Sequence, residues 1–271
     1  MNIPDLVMPG YYDTRLVALS VFIAVVASYT ALDLAARVTS GRGASRYLWL
    51  SGGAIAMGIG IWSMYYIGML AFRLPVPVQY DWPTVLLSLL AAIFASLVAL
   101  FVVSREKMGT LQALVGCVIM GGGIAGMHYI GMAAMRLQAI CHYSPAIVAL
   151  SVLLAFVISL VALWLTFHFR GEPISWGWRK IVSALVMGAA IPVMHYTGMA
   201  AASFAPSTLV HGDLSHALSI SSLSIASVIV VTFMVLGLSL LTSLVDRRFS
   251  AQALELEASE RRHHQILESA L

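Results

Sequence analysis

Three stretches of this chain carry the same unusual set of side chains. MGIGIWSMYYIGMLAF begins at Met57, MGGGIAGMHYIGMAAM at Met120 and MGAAIPVMHYTGMAAA at Met187. They align without gaps on the pattern M-G-x5-M-[HY]-Y-[IT]-G-M. Met64, Met127 and Met194 precede a ring position held by Tyr65, His128 and His195. Met69, Met132 and Met199 follow four residues after the ring. Thioether sulfur is a soft ligand that favours Cu(I), and imidazole suits copper, iron or zinc. The motif offers neither a cysteine pair nor an acidic cage, so zinc and calcium match less well and copper is the expected ion. With an open coordination position, such an ion could bind a diatomic gas such as O2, CO or NO.

Taken singly, these residues would read as packing. Met fills irregular gaps, and a lone buried His is more often a hydrogen-bonded core residue than a ligand. Three matched copies read differently, because an ionisable group inside a membrane marks a functional site by default. Tyr66, Tyr129 and Tyr196 would either hydrogen-bond to the ligands or pack as aromatics.

The elements that hold these residues follow from composition. Hydrophobic residues make up 60% of the 271-residue chain and charged residues only 10%, where a soluble domain carries about a quarter charged. The partner this demands is a lipid bilayer, and a net charge of +3 calls for no nucleic acid. Apolar stretches able to cross a bilayer as helices, roughly 20 residues each, run at about Leu16–Ala36, Tyr47–Phe72, Val85–Val103, Leu111–Met135, Ile147–Phe169, Ile181–Phe204 and Leu218–Val245. The expected fold is all-α, a polytopic membrane bundle of seven transmembrane helices. The motifs fall on helices 2, 4 and 6, 63 residues apart from Met57 to Met120 and 67 from Met120 to Met187. These are parallel two-helix repeats. Tyr65 and His128 each lie eight residues before Arg73 and Arg136, about 12 Å below the helix end, and His195 sits at a similar depth before Phe204. Met57 should share a face with Met64, as Met120 with Met127 and Met187 with Met194. Gly68, Gly131 and Gly198 would let the three helices approach closely, and Pro192 should bend helix 6.

Arg37, Arg42, Arg46, Arg105, Lys107, Arg170, Arg179, Lys180, Arg247 and Arg248 flank one side of the spans, against Arg15, Arg73 and Arg136 on the other. The positive-inside rule puts the first set in the cytoplasm, with the N-terminus outside and the C-terminus inside. Asp33 and Arg37 form an i, i+4 ion pair, or Asp33 takes part in proton or signal transfer. Lys107 and Lys180 both fall in loops, which leaves no Schiff-base amine for a retinal. Cys117, deep in a span, should not bridge Cys141 beside a loop. His142 beside Cys141, and His211 with His216, are outer-loop residues that could bind a second metal but read as solvated. His168, His263 and His264 read as surface residues. The first residues have no basic start, so a cleavable signal peptide is not expected. The chain thus divides into a short outer segment over 1–13, the bundle over 14–246 and a charged, helical connector over 247–271 leading toward an absent effector.

The three M-[HY]-Y-x-G-M segments on alternate helices resemble the MHYT domain, a bacterial integral membrane sensor module, across about residues 14–246. The resemblance implies copper ligation by Met127, His128, Met194, His195 and Met64, with sensing of O2, CO or NO. It further implies a multi-pass position in the bacterial inner membrane. The connector would lead to a covalently linked cytoplasmic GGDEF/EAL effector of cyclic di-GMP metabolism, so this chain is not itself expected to be an enzyme. A homodimer is allowed. Tyr65 departs from the family's usual His, so the first copy would supply a weak oxygen ligand, a hydrogen-bond donor or no partner. Two other classes compete: a metal carrier, which repeats and intramembrane His would suit, and a membrane oxidoreductase using copper or a bis-His haem.

Overall fold

A computed structural model describes residues 7–41, 43–105, 109–169, 178–207 and 215–219, with isolated positions at 229, 233 and 237. Six helices in it are long and apolar enough to cross a membrane. They are α1 (Thr14–Ser40), α2 (Gly43–Ala71), α3 (Trp82–Val103), α4 (Thr110–Ala133), α5 (Pro145–Phe169) and α6 (Trp178–Ala200). Short strands flank them at one end: β1 (Tyr11–Tyr12), β2 (Phe72–Arg73), β3 (Gln79–Asp81), β4 (Met135–Arg136), β5 (Ala139–Tyr143), β6 (Ala202–Pro206) and β7 (Ala217–Ser219).

The repeat unit is strand, helix, helix, strand. The strand entering each odd helix pairs antiparallel with the strand leaving the next helix: β1 with β2, β3 with β4 and β5 with β6. One backbone hydrogen bond closes each unit at the same place. Asp13 N–H donates to the Ala71 carbonyl over 2.8 Å, Asp81 to Ala134 over 2.9 Å and Ser144 to Ala201 over 2.9 Å. Asp13 and Asp81 also cap α1 and α3, accepting from the Arg15 and Thr84 backbone N–H groups. These contacts satisfy polar groups that a helix end would otherwise leave bare. Consecutive helices touch, and α6 returns to α1, so the three units close into a ring.

Glycine sets the crossing of each even helix with the next odd one. A Cβ on Gly58 would lie 2.6 Å from the Ile93 Cα, one on Gly121 would lie 3.0 Å from the Phe156 Cα, and one on Gly188 would overlap the Val25 backbone. Small residues permit this approach of backbones in a membrane. Outward, Leu87, Leu90, Phe94, Val118 and Trp164 are exposed as a lipid-facing surface.

Several sequence expectations are corrected. Even helices stop short of the expected ends, at Ala71, Ala133 and Ala200, because the following residues enter strands. The described parts of the segments expected as plain outer loops thus form short strands at one end of the bundle. Tyr65, His128 and His195 consequently lie five or six residues from their helix ends, about 7.5–9 Å and not 12 Å. Lys180 belongs to α6, not a loop, and its Nζ lies 2.8 Å from the Asp33 carboxylate and over the Tyr29 ring. Asp33 does pair with Arg37, at 2.9 Å, but it also joins α1 to α6, so an amine on a helix exists and is already engaged. The seventh span cannot begin at Leu218, which pairs with Tyr80 in β7. Apart from Ser219 and the isolated positions 229, 233 and 237, the rest of that span lies outside the described residues, as do the connector, His211, His263 and His264. Cys117 and Cys141 are both free thiols.

Two measurements check this account. Gly188→Ala should lower the melting temperature by several degrees, because overpacking costs roughly 1–3 kcal/mol. Gly122→Ala meets open space and should leave stability unchanged or raise it, since Ala is the better helix former. Equal behaviour of the two would refute the glycine crossings. The second concerns Asp81, whose carboxyl is held below the ordinary carboxylate range chiefly by the Thr84 hydroxyl, with the Thr84 N–H and the Arg136 guanidinium adding to it. Its stabilisation is complete above the unfolded carboxyl value of about 3.9 and disappears as pH falls through the lower folded value. Wild type should therefore lose melting temperature more steeply below about pH 4 than Asp81→Asn does; superimposable acid profiles would count against this role.

Candidate functional site

The ring positions of the three motifs meet at the centre of the bundle. Tyr65, His128 and His195 are 2%, 0% and 1% exposed. Their ring centroids lie 5.6 Å apart for Tyr65 and His128, 5.4 Å for Tyr65 and His195, and 5.2 Å for the two histidines, all edge to face. His128 Nδ1 and His195 Nδ1 face each other at 3.2 Å.

The motif glycine makes room for this layer in cyclic order. A Cβ on Gly131 of α4 would overlap the Tyr65 hydroxyl from α2. One on Gly198 of α6 would overlap His128 Nε2, and one on Gly68 of α2 would overlap His195 Nε2. Each even helix therefore inserts its ring against the glycine of the next. The Tyr65 hydroxyl and both Nε2 atoms are buried without a hydrogen bond of ordinary geometry.

The second aromatic of the motif turns outward, to the odd helices. Tyr129 Oη lies 2.6 Å from Ser151 Oγ, and Tyr196 Oη lies 2.9 Å from Ser20 Oγ. Each serine donates to the carbonyl three residues back, over 2.8 Å, so the tyrosines are the donors. In the first copy Trp62 Nε1 takes this role, donating to Ser88 Oγ over 2.9 Å, while Tyr66 stacks on Trp62. The tyrosines thus hydrogen-bond to serines and not to the histidines, although Tyr129 and Tyr196 lie edge-on to their neighbouring imidazoles. Sequence reasoning missed Ser20, Ser88 and Ser151. The signal was present: 68 residues separate the first two and 63 the last two, a spacing close to that of the motifs.

The methionines divide. Met69, Met127, Met132, Met194 and Met199 are buried in one core with Tyr65. Met64 instead packs with Ile23, Ala24 and Ile67 in a separate cluster, so it does not share the Met57 environment. Met69 also lines a pocket of about 300 Å³ at the strand-bearing end, together with Met135, Tyr80 and Arg73. The outer-loop histidines form no second centre among the described residues. Cys141 pairs with Phe204 and His142 with Ser203 in β5 and β6, so strand alternation turns them to opposite faces. His216 sits edge-on to Trp82, and His168 stacks on Trp164.

A family model described as a bacterial signalling protein N-terminal repeat, MHYT, matches residues 1–47, 58–116, 121–175 and 188–254. The chain belongs to the MHYT family. It is 43% identical over 266 residues to the bifunctional diguanylate cyclase/cyclic di-GMP phosphodiesterase MucR of Pseudomonas aeruginosa, covering 96% of this chain and 38% of that protein. It is 35% identical over 262 residues to the signaling protein YkoW of Bacillus subtilis, covering 94% of this chain and 32% of that one. A third relative, the cyclic di-GMP phosphodiesterase NbdA of Pseudomonas aeruginosa, is 41% identical over 191 residues, 70% of this chain and 24% of its own length. The chain therefore spans well under half of the relatives it matches, and corresponds to a membrane sensor domain of bacterial signalling proteins. No solved structure matches it.

In MHYT terms, the structure gives each motif letter a place: His to the axis, Tyr to the next odd helix, and the glycine after them to the ring of the preceding copy. Gly198→Ala should push the His128 ring off the axis and break the imidazole contact, while Gly126→Ala meets open space and should not. Nitrogen-15 spectra of labelled imidazoles read this directly. An unchanged His128 signal in Gly198→Ala would show that the glycine does not seat the ring.

Proposed function

We propose that this chain is the sensing part of a bacterial cyclic di-GMP signalling protein and that its ring layer holds one copper ion. The observation that carries the proposal is the His128–His195 contact in a fully buried layer. Two imidazole nitrogens about 2.0 Å from one ion at a tetrahedral angle lie about 3.3 Å apart, and the two Nδ1 atoms are 3.2 Å apart. Among the described residues no group of three or more His, Cys, Asp or Glu side chains could hold a metal. The remaining donors must then be the Tyr65 hydroxyl or the buried thioethers of Met127, Met132, Met194 and Met199, with Met64 and Met69 at the margins. That set suits copper better than zinc or calcium. Haem fits poorly, since rings packed at this distance leave no slot for a porphyrin between them.

A copper ion there would supply a soft Lewis acid that takes a diatomic gas such as O2, CO or NO at an open coordination position. The chain's own residues do the rest. Without an ion, one Nδ1 donates a proton to the other. With both Nδ1 atoms turned to an ion, that proton must sit on Nε2, facing Gly198 or Gly68. Gly198 is on α6 and Gly68 on α2, so a change of occupancy acts on the helices that carry the glycines. An output follows only if the ligand binds two helix arrangements unequally.

The relatives' names and the basic ends of the helices support the remainder of the reading. The module sits in the bacterial inner membrane with the strand layer outside and Arg37, Arg46 and Lys180 toward the cytoplasm. Its connector passes the signal to a linked cyclic di-GMP cyclase or phosphodiesterase. Metal quantification on protein purified in lipid nanodiscs tests the centre: wild type should carry copper, and His128→Ala and His195→Ala should each lose it. Equal metal content in all three would sink the assignment, and a metal-loaded wild type indifferent to NO, CO and O2 would sink gas sensing alone.

A further inference from the structure

The first methionine of each motif takes no part in the ring layer. Met57, Met120 and Met187 instead line one cavity of about 20 Å³ inside the bundle. Every described helix contributes to its wall in alternation: α2, α4 and α6 give the methionines, and α1, α3 and α5 give Ala31, Ala99 and Ala162. We propose that these three methionines form a second site, built of thioethers alone, for one soft monovalent cation such as Cu(I) or Ag(I).

Size and chemistry carry the inference. A volume of roughly 10–15 Å³ is enough for one water-sized occupant, so the cavity takes a single ion or a single small molecule. Water is a poor occupant, because it needs two to four polar partners. Thr166 is the one hydroxyl among the described wall residues, and it already donates to the Ala162 carbonyl over 2.7 Å, with the Met187 sulfur 4.0 Å away. Each thioether carries two lone pairs, and even Met187, whose sulfur accepts weakly from the Thr166 hydroxyl at 4.0 Å, has one to spare for an ion. A thioether-only donor set selects soft d10 monovalent ions and rejects Mg, Ca and Mn, which want oxygen. The nearby charges agree. Asp33, two residues beyond Ala31, is neutralised by Arg37 and Lys180, so among the described residues no uncompensated carboxylate stands near to hold a hard divalent ion.

The site is distinct from the ring layer. Each cavity methionine precedes its ring residue by eight positions, as Met120 precedes His128, which is about 12 Å along a helix. No single ion reaches both. The alanines matter as much as the methionines: a larger side chain at Ala31, Ala99 or Ala162 would occupy the space an ion needs. Occupancy here does not depend on the ring layer holding metal.

Titration of the full chain in lipid nanodiscs with Ag(I), read by calorimetry and by Ag K-edge absorption, tests the site. Wild type should bind an equivalent whose coordination shell is sulfur only. Met57→Leu/Met120→Leu/Met187→Leu should lose that equivalent, whereas His128→Ala/His195→Ala should keep it. Should the triple variant fail to fold, Ala162→Leu fills the cavity with all three sulfurs present and is expected to show the same loss. The proposal is overturned by undiminished Ag(I) binding in the triple variant or in Ala162→Leu, or by a wild-type shell without sulfur. Loss of copper from the histidine variants with retained sulfur-bound Ag(I) separates this site from the ring layer, and failure of one leaves the other standing.

Discussion

A ring placed on the axis of a helical bundle needs space that the neighbouring helix must give up. Here that space is a glycine, and it is supplied in cyclic order: Gly131 for Tyr65, Gly198 for His128, Gly68 for His195. The arrangement explains why glycine stands three residues after the ring position in every copy. The residue that receives a ring and the residue that sends one onward lie on the same helix, within one turn. None of the three rings can shift without pressing on the next helix. The layer therefore couples α2, α4 and α6 more directly than ordinary side-chain interdigitation would.

Lipid forces the rest of the design. Polar groups in the bilayer find no water, so the partners they have must come from within the protein. Tyr129 and Tyr196 resolve this through Ser151 and Ser20, and Trp62 through Ser88. At the strand-bearing end, backbone pairing does the same for the segments that connect the helices. At the opposite end, Asp33 with Arg37 and Lys180 closes the seam between the first helix and the last described one. A buried ion group of this kind is weak support for stability but costly to break, since removing one member strands another.

Much of this was legible in the sequence. The gap-free repeat located the three helices that matter, and the side-chain types at Tyr65, His128 and His195 named the layer before any geometry. What remained hidden depends on distant pairing. The segment from Arg73 to Pro83, short and rich in proline, reads as a loop, and it forms strands only because Arg136 and Ser219 come back beside Gln79. Ser20 and Ser151 look neutral inside apolar helices until the partner tyrosines are seen. Lys180 stands beside Arg179 at a helix start, where a basic pair reads as a loop, and only the approach of α1 turns it inward. The depth estimate erred for the same reason, because apolar strand residues such as Phe72 and Phe204 extend the hydrophobic run past the helix end.

The departures from three-fold repetition are as informative as the repeat. The first copy carries Tyr65 where the others have imidazole, uses Trp62 where they use tyrosine, and sends Met64 into a separate cluster against α1. These differences fall on one helix. A tyrosine at the ring position keeps the edge-to-face packing, at 5.4 and 5.6 Å from the two imidazoles, but replaces a ring nitrogen by a hydroxyl with no partner. Leaving such a hydroxyl unsatisfied costs roughly 1–3 kcal/mol. The layer is thus a packed triad in shape and, in chemistry, one imidazole pair beside a hydroxyl; the Tyr65 hydroxyl, like the two Nε2 atoms, faces a glycine of the next even helix, here Gly131 of α4, the helix that carries His128. Any event that gives the Tyr65 hydroxyl a partner acts first on the α2–α4 contact, just as one that engages His128 Nε2 or His195 Nε2 acts first on the α4–α6 or α6–α2 contact.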